Sequence, residues 1–250
     1  MLELKNISLQ LGKENSTILE NVDFSFDRKK LYVITGPNGG GKSSLAKVIM
    51  GIYPLDEGQI FLENEEITSL GITERANKKI GYAFQQPPRF KGIKVRDLLQ
   101  MATDEKLDYQ QMCKLLQDVG LCSQDYINRE VDDSLSGGEL KRIEIATIMA
   151  RELQVAVFDE PEAGIDLWSF QKLAETFKNI HENHDTTIII ISHQERILQL
   201  ADEILVMADG KIQQVTTKED FFENMSQEEL DCMCGLDCSK GVDKNVEYVG

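Results

Sequence analysis

The octapeptide GPNGGGKS, Gly36 to Ser43, restricts this chain more than any other stretch. A glycine-rich run can be a flexible linker. This one follows LYVIT, a compact run of strand formers, and leads into SLAKVIMG, whose apolar spacing predicts a helix from Lys42 to Met50 closed by Gly51 and Pro54. A linker needs no such flanks, whereas a phosphate cradle does. Glycines let backbone N–H groups converge on phosphate oxygens with no side chain in the way. The first turn of the helix adds unpaired N–H groups and about half a positive charge.

The stretch fits G-x-x-x-x-G-K-[ST], the P-loop pattern, in the strand–loop–helix setting that the pattern requires. Gly36, Asn38, Gly39, Gly40, Gly41, Lys42, Ser43 and Ser44 are therefore the candidate ATP-binding residues. Lys42 should reach the β- and γ-phosphates, and Ser43 should offer its hydroxyl to Mg²⁺. A second stretch, VAVFDEPEAGID, carries Asp159 and Glu160 at the end of an apolar strand. A capping pair before a helix would look the same in isolation. With a P-loop upstream, Asp159 reads as a Mg²⁺ ligand and Glu160 as the group that polarises water for attack on the γ-phosphate. His193 follows the strand TTIIIIS. If the strands are parallel neighbours, it lies on the P-loop side of the sheet and can donate to the γ-phosphate. His181 and His184 sit in a polar helix end and read as surface residues.

Strand-like and helical stretches alternate along the chain, which implies an α/β core with a parallel sheet. Residues 2–30 read as hairpin-type β structure around Gly12–Thr17, and EGQIFLENEEI as another hairpin near Asn64. Further strands are expected at 31–35, 80–85, 155–158 and 187–192, and a hairpin around Asp209-Gly210. Residues 91–152 change character, with helical periodicity in VRDLLQMA, YQQMCKLLQDVGL and GGELKRIEIATIMAREL, so a helical lobe is inserted there. The segment DLWSFQKLAETFKNIHEN is an amphipathic helix.

Net charge is −16, which argues against a nucleic-acid binder working through a broad basic face. It does not exclude nucleotides, which need only a few local donors. No basic stretch followed by an apolar block opens the chain, and no apolar run approaches the roughly 18 residues of a membrane span. A cytoplasmic location without direct membrane insertion is expected. Five cysteines, an odd number, suggest reduced thiols rather than a disulfide framework. Cys232, Cys234 and Cys238 form CMCGLDC, either a reduced exposed tail or a contact to Zn²⁺ or an iron–sulfur cluster.

One more motif changes the reading. LSGGE, Leu135 to Glu139, lies in the helical lobe. The order P-loop, Gln85 in YAFQQP, LSGGE, VAVFDE, AGID and His193 resembles the ATP-binding-cassette ATPases over nearly all of residues 1–225. The resemblance implies an α/β fold: a P-loop NTPase (RecA-like) core with an N-terminal antiparallel β subdomain and an inserted α-helical lobe. It implies one ATPase domain over 1–225, divided into a β subdomain (about 1–30 and 55–79), the core (about 31–54, 80–90 and 153–225) and the lobe (about 91–152), with 226–250 as a tail. By the same resemblance Gln85 senses nucleotide and shares the Mg²⁺ site, and Ser136, Gly137 and Gly138 complete the ATP site of a second copy. Asp166 lies in a loop crossing that ATP-dependent homodimer. Leu11 stands where relatives usually carry an aromatic over adenine.

Within the family, YAFQQPPRFKGIKVRDLL and ISHQERILQLADEILVMADGKI resemble the SufC ATPases of iron–sulfur cluster assembly. That likeness implies a SufB/SufD-like scaffold as partner, with its docking surface at Gln86 to Leu99. Pro161 and Glu162 follow Glu160 as in ordinary transport ATPases, so the alternative is the cytoplasmic ATP-binding subunit of a membrane transporter.

Overall fold

Alternating side chains in LELKNISLQL and STILENVDFSF build two antiparallel strands, β1 (Leu2–Leu11) and β2 (Ser16–Phe26), in register from Leu2↔Phe26 to Leu11↔Ser16. The structure, a computed structural model, describes residues 1–12, 16–103 and 105–224, without the side chains of 167–169 and 224. After β2 come β3 (Leu31–Thr35), α1 (Lys42–Met50), and the hairpin of β4 (Glu57–Leu62) and β5 (Glu65–Glu66), turned by Glu63 and Asn64 at positive φ. Helix α2 (Ile72–Asn77) and strand β6 (Ile80–Ala83) follow. The inserted segment holds β7 (Phe90–Lys94), α3 (Val95–Met101), α4 (Tyr109–Asp118), α5 (Ser123–Tyr126), β8 (Glu130–Val131) and α6 (Gly137–Met149). The chain then returns through β9 (Val155–Asp159), α7 (Leu167–Asn183), β10 (Thr187–Ile191), α8 (Glu195–Leu198), β11 (Glu203–Ala208), β12 (Lys211–Thr216) and α9 (Lys218–Asn224).

Strands β2, β1, β4 and β5 form an antiparallel sheet; a second sheet has the order β12-β11-β3-β10-β9-β6. In the second sheet every pairing is parallel except β11 with β12. Its central strands are buried at every position and mostly apolar because both faces are covered. Alternate residues feed two cores. Leu31, Val33, Ala156, Phe158, Ile188 and Ile190 pack with α6, α7 and the inserted segment. Tyr32, Ile34, Val155, Val157, Ile189 and Ile191 pack with α1 and the antiparallel sheet. The sheet is thus the shared wall of both.

Four sequence expectations are corrected. The strand expected at 80–85 ends at Ala83, because the Phe84 N–H leaves the ladder and donates to Glu144 Oε1 (3.0 Å). The helix expected over 137–153 ends at Met149. The lobe is not purely helical, since β7 and β8 pair within it, and two-residue β8 is too short to show a period. Helix α2 occupies a segment read as β structure; the Glu74 carboxylate accepts from the Gly71 N–H and satisfies its first turn. The cysteine cluster at 232–238 lies outside the described residues.

Arg75 in α2 is 2% exposed, and its nearest partners are carbonyls rather than a carboxylate. The guanidinium donates to Val48 O, Ile49 O, Leu70 O and Thr68 O at 2.6–2.9 Å. Two of these belong to the last turn of α1, where a cation is favoured. Burial pulls its pKa down to about 10.

Candidate active site

The register of the parallel strands decides which side chains meet. Ile191 pairs with Asp159 and with Ile34, so β3, β9 and β10 end level with one another. The P-loop leaves β3, Asp159 and Glu160 finish β9, Ser192 and His193 follow β10, and Gln85 follows β6 along the same edge. This is the edge where open parallel sheets bind ligands.

The P-loop wraps closely around its own chain. Gly36 has φ +128°, and a Cβ there would stand 2.0 Å from Met207 O of β11. Helix α1 starts after Gly41 with no side-chain cap and no acidic residue in its first turn, which leaves its N–H groups to an anion. Lys42 is buried, and its ammonium donates to Gly36 O and Pro37 O, both at 2.8 Å. Burial lowers its pKa, opposed by Glu160 and Asp159. Asn38 and Gly39 are exposed, and Ser43 and Ser44 are half-buried.

Asp159 is 3% exposed, and both of its oxygens are used. Oδ1 accepts from the Ser43 hydroxyl and Oδ2 from the Tyr82 hydroxyl, each at 2.8 Å. A hydroxyl whose proton goes to a carboxylate turns its lone pairs outward. Ser43 with Asp159 and the amide oxygen of Gln85 is a set of hard oxygen donors, which suits Mg²⁺. Glu160 has φ +45°, the left-handed region, which is costly for a residue with a side chain and is held here from three sides. Its N–H donates to Ile191 O (3.0 Å), its carbonyl accepts from Lys141 Nζ of α6 (2.9 Å), and Oε2 accepts from Gln85 Nε2 (2.5 Å).

Sequence reasoning missed several neighbours. Lys141 is 4% exposed, and burial lowers its pKa, opposed by Glu162, Glu144, Glu160 and Asp159. Glu162 is buried and accepts from the Ser192 hydroxyl (2.6 Å), whose oxygen in turn accepts from the Gln194 N–H (3.0 Å). Burial raises the pKa of Glu162, and its Oε2 has no hydrogen-bond partner among the described residues. Glu144 holds the start of the Gln85 loop, and burial pushes its pKa up to about 7. His193 is exposed, with its Nε2 3.4 Å from Gln194 Nε2.

The LSGGE segment lies apart from the P-loop. Ser136 caps α6: its hydroxyl accepts from the Glu139 N–H (3.3 Å), and Glu139 accepts from the Ser136 N–H (2.7 Å). Tyr126 also donates to Glu139. Gly137 faces Gly164 O and Gly138 faces the Ile165 side chain of the loop before α7; a Cβ added at either glycine would stand 3.8 Å away. Among the described residues no hydrogen bond joins Ser136–Gly138 to Gly36–Ser44. A cavity of about 510 Å³, lined by Gln85, Arg89, Gly137, Lys141 and Gly164 among others, opens between the Gln85 loop and this segment. Asp166 is exposed just before α7, and its carbonyl accepts from the Phe170 N–H (2.9 Å).

Comparison with known proteins gives the family. Residues 19–163 match the family model described as ABC transporter. The chain is 36% identical over 217 residues to an uncharacterised ABC transporter ATP-binding protein of Methanocaldococcus jannaschii, covering 84% of this chain and 86% of that one. It is 31% identical over 210 residues to a probable ATP-dependent transporter, ycf16, of Cyanidium caldarium, covering 78% and 82%. A dimeric ATP-binding cassette solved in a post-hydrolysis state with ADP and Pi superposes with a TM-score of 0.78 at 22% identity, covering 87% of this chain and 99% of that one.

Proposed function

The chain belongs to the ABC transporter ATPase family and is an ATPase of that type, binding ATP with Mg²⁺ as its usual partner; from this premise we propose that two copies close on two ATP molecules and so drive a partner protein. The observation that carries the proposal is the position of Ser136–Gly138. Ser136 and Gly137 are exposed at the N-terminus of α6, a short glycine turn that a second molecule can approach, yet among the described residues the turn forms no bond to its own P-loop. Each ATP would lie between the P-loop of one copy and the Ser136 turn of the other. Closure is then favoured by nucleotide contacts that the open form lacks, and hydrolysis removes them.

For the chemistry, Glu160 accepts a proton from the attacking water. The water oxygen bonds to the γ-phosphorus as the bond to the bridging oxygen breaks, giving ADP and phosphate. The Gln85 amide donates to Glu160 Oε2 and so orients the carboxylate, whose remaining acceptor positions can take the water. Lys42 and the α1 N–H groups balance the charge of the phosphates, and His193 donates to the γ-phosphate. Ser43, Asp159 and Gln85 would hold Mg²⁺, which when bound spreads the negative charge of the β- and γ-phosphates. Glu160→Gln should bind ATP, lose at least about a hundredfold in hydrolysis and accumulate as an ATP-dependent dimer in light scattering. A wild-type rate would remove Glu160 from the role.

The partner reading starts from the names of the relatives, which are those of transporter ATP-binding proteins, and makes the partner a membrane-embedded transport subunit. No helix among the described residues is long and apolar enough to cross a membrane, so that role runs through the partner. A second reading, a soluble SufB/SufD-like scaffold of iron–sulfur cluster assembly, is favoured by the SufC-like wording around Gln85 and His193. Both use the strip Gln86 to Leu99, where Arg89, Lys91 and Arg96 are exposed on a chain of net charge −16. Purification without detergent separates the two. A soluble partner supports the scaffold; recovery only with a polytopic protein in detergent supports the transporter. Charge reversal at Arg89 and Lys91 should weaken either complex and leave ATP binding intact.

A further inference from the structure

We propose that Tyr82 is a positioning residue for the metal site, setting Asp159 so that one carboxylate oxygen is committed to the strand β6 side and the other to Ser43. The inference rests on the reading that Ser43 and Asp159 hold Mg²⁺. Tyr82 is 8% exposed and lies opposite Val157 in the parallel pair β6–β9, two residues from Asp159. Its hydroxyl reaches Asp159 Oδ2 at 2.8 Å, while Ser43 occupies Oδ1 at the same distance. The Phe84 ring packs edge-on against the Tyr82 ring, with centroids 4.9 Å apart, and limits its swing. Placed against a carboxylate oxygen that has no proton to give, the phenol is the donor of this bond.

A carboxylate that accepts one fixed bond at each oxygen has lost its rotation. Without the Tyr82 hydroxyl, Oδ2 would be a buried anionic oxygen with no donor, and Asp159 could turn and draw Ser43 with it. Outer partners of this kind orient metal ligands, and their removal commonly costs 10- to 100-fold in metal affinity. Tyr82 also stands three residues before Gln85, which lies in the loop that follows β6. Strand β6 and the loop after it therefore touch the metal carboxylate through Tyr82 and Glu160 through Gln85.

A buried tyrosine hydroxyl needs a partner wherever it is, so a purely structural role is the competing account. The two accounts differ in what Tyr82→Phe changes. Mn²⁺, as a probe for Mg²⁺, is titrated by EPR into the full-length protein saturated with a non-hydrolysable ATP analogue. Nucleotide affinity in EDTA and the melting temperature are measured beside it. Tyr82→Phe should weaken Mn²⁺ binding about tenfold with nucleotide affinity in EDTA unchanged. Tyr82→Met, which also lacks the hydroxyl but fills the site differently, should show the same loss. Asp159→Asn tests the underlying reading. If it weakens Mn²⁺ binding and both Tyr82 variants bind Mn²⁺ as the wild type does, the Tyr82 role is overturned. If Asp159→Asn itself binds Mn²⁺ normally, the metal assignment fails first.

Discussion

The molecule carries two glycine-containing turns that each open a helix, and their glycines are there for different reasons. In the P-loop the fold itself demands them. A Cβ at Gly36 would overlap Met207 O at 2.0 Å, and one at Gly40 would reach the same oxygen at 2.9 Å. In the LSGGE turn, a Cβ at Gly137 or Gly138 would have its nearest neighbour at 3.8 Å, an ordinary contact, and neither residue has positive φ. The caps differ in parallel. Helix α1 has no side-chain cap, whereas α6 has a complete capping box from Ser136 and Glu139. One turn is shaped by the chain around it. The other keeps glycines that its own chain does not require, as a surface made to be approached from outside would.

The comparison can be broken at each turn. The largest effect is expected from Gly36→Ala, which must displace backbone of β11 and should cost about 3 kcal/mol or more together with ATP binding. Denaturant unfolding and nucleotide titration measure both. If that variant is as stable as the wild type, the close approach to Met207 is not a constraint. Gly138→Ala should behave in the opposite way. Stability should hold or rise by up to about 1 kcal/mol, since alanine is the better helix former. ATP-dependent dimerisation should disappear and ATPase activity should fall about a hundredfold. A variant that dimerises normally would return Gly138 to a local role.

The smallest effect is the part of the pH dependence that Glu144 of α6 contributes. Burial raises the Glu144 pKa to about 7, partly offset by the Phe84 N–H and by Lys141. The folded state therefore binds more protons than the unfolded state between about pH 4.5 and 7. Stability should fall as pH rises through that window and level off above it. Glu144→Gln keeps an acceptor for Phe84 and should flatten this slope between pH 5 and 8 in thermal melts. An unchanged slope would assign the titration to another group.

Much of the sheet edge was legible in the sequence, because phosphate and metal chemistry need certain residue types at fixed spacing. Gly36–Ser44, Asp159, Glu160 and His193 are each marked by a strand that ends beside them. What the sequence hid are residues whose partners lie far along the chain. Tyr82 and Asp159 are 77 positions apart and meet only because β6 pairs with β9. Lys141 reads as a solvated helix lysine, yet its ammonium crosses to the Glu160 carbonyl. Glu144 looks like one more charge on an amphipathic helix and instead accepts the N–H that ends β6. None of the three carries a periodic signal, since each is a polar atom placed by tertiary packing.

The Arg75 guanidinium gives the nucleotide end of the molecule its mechanical character. Helix α1 begins at the phosphate cradle, and two carbonyls of its far end are clamped by a side chain that has no water to retreat into and that also holds Thr68 O and Leu70 O. Such a helix cannot slide along its axis like a piston when triphosphate arrives. A load on the cradle along that axis is passed instead through Arg75 to the backbone at Thr68 and Leu70, so the two ends of the helix are anchored in different parts of the chain.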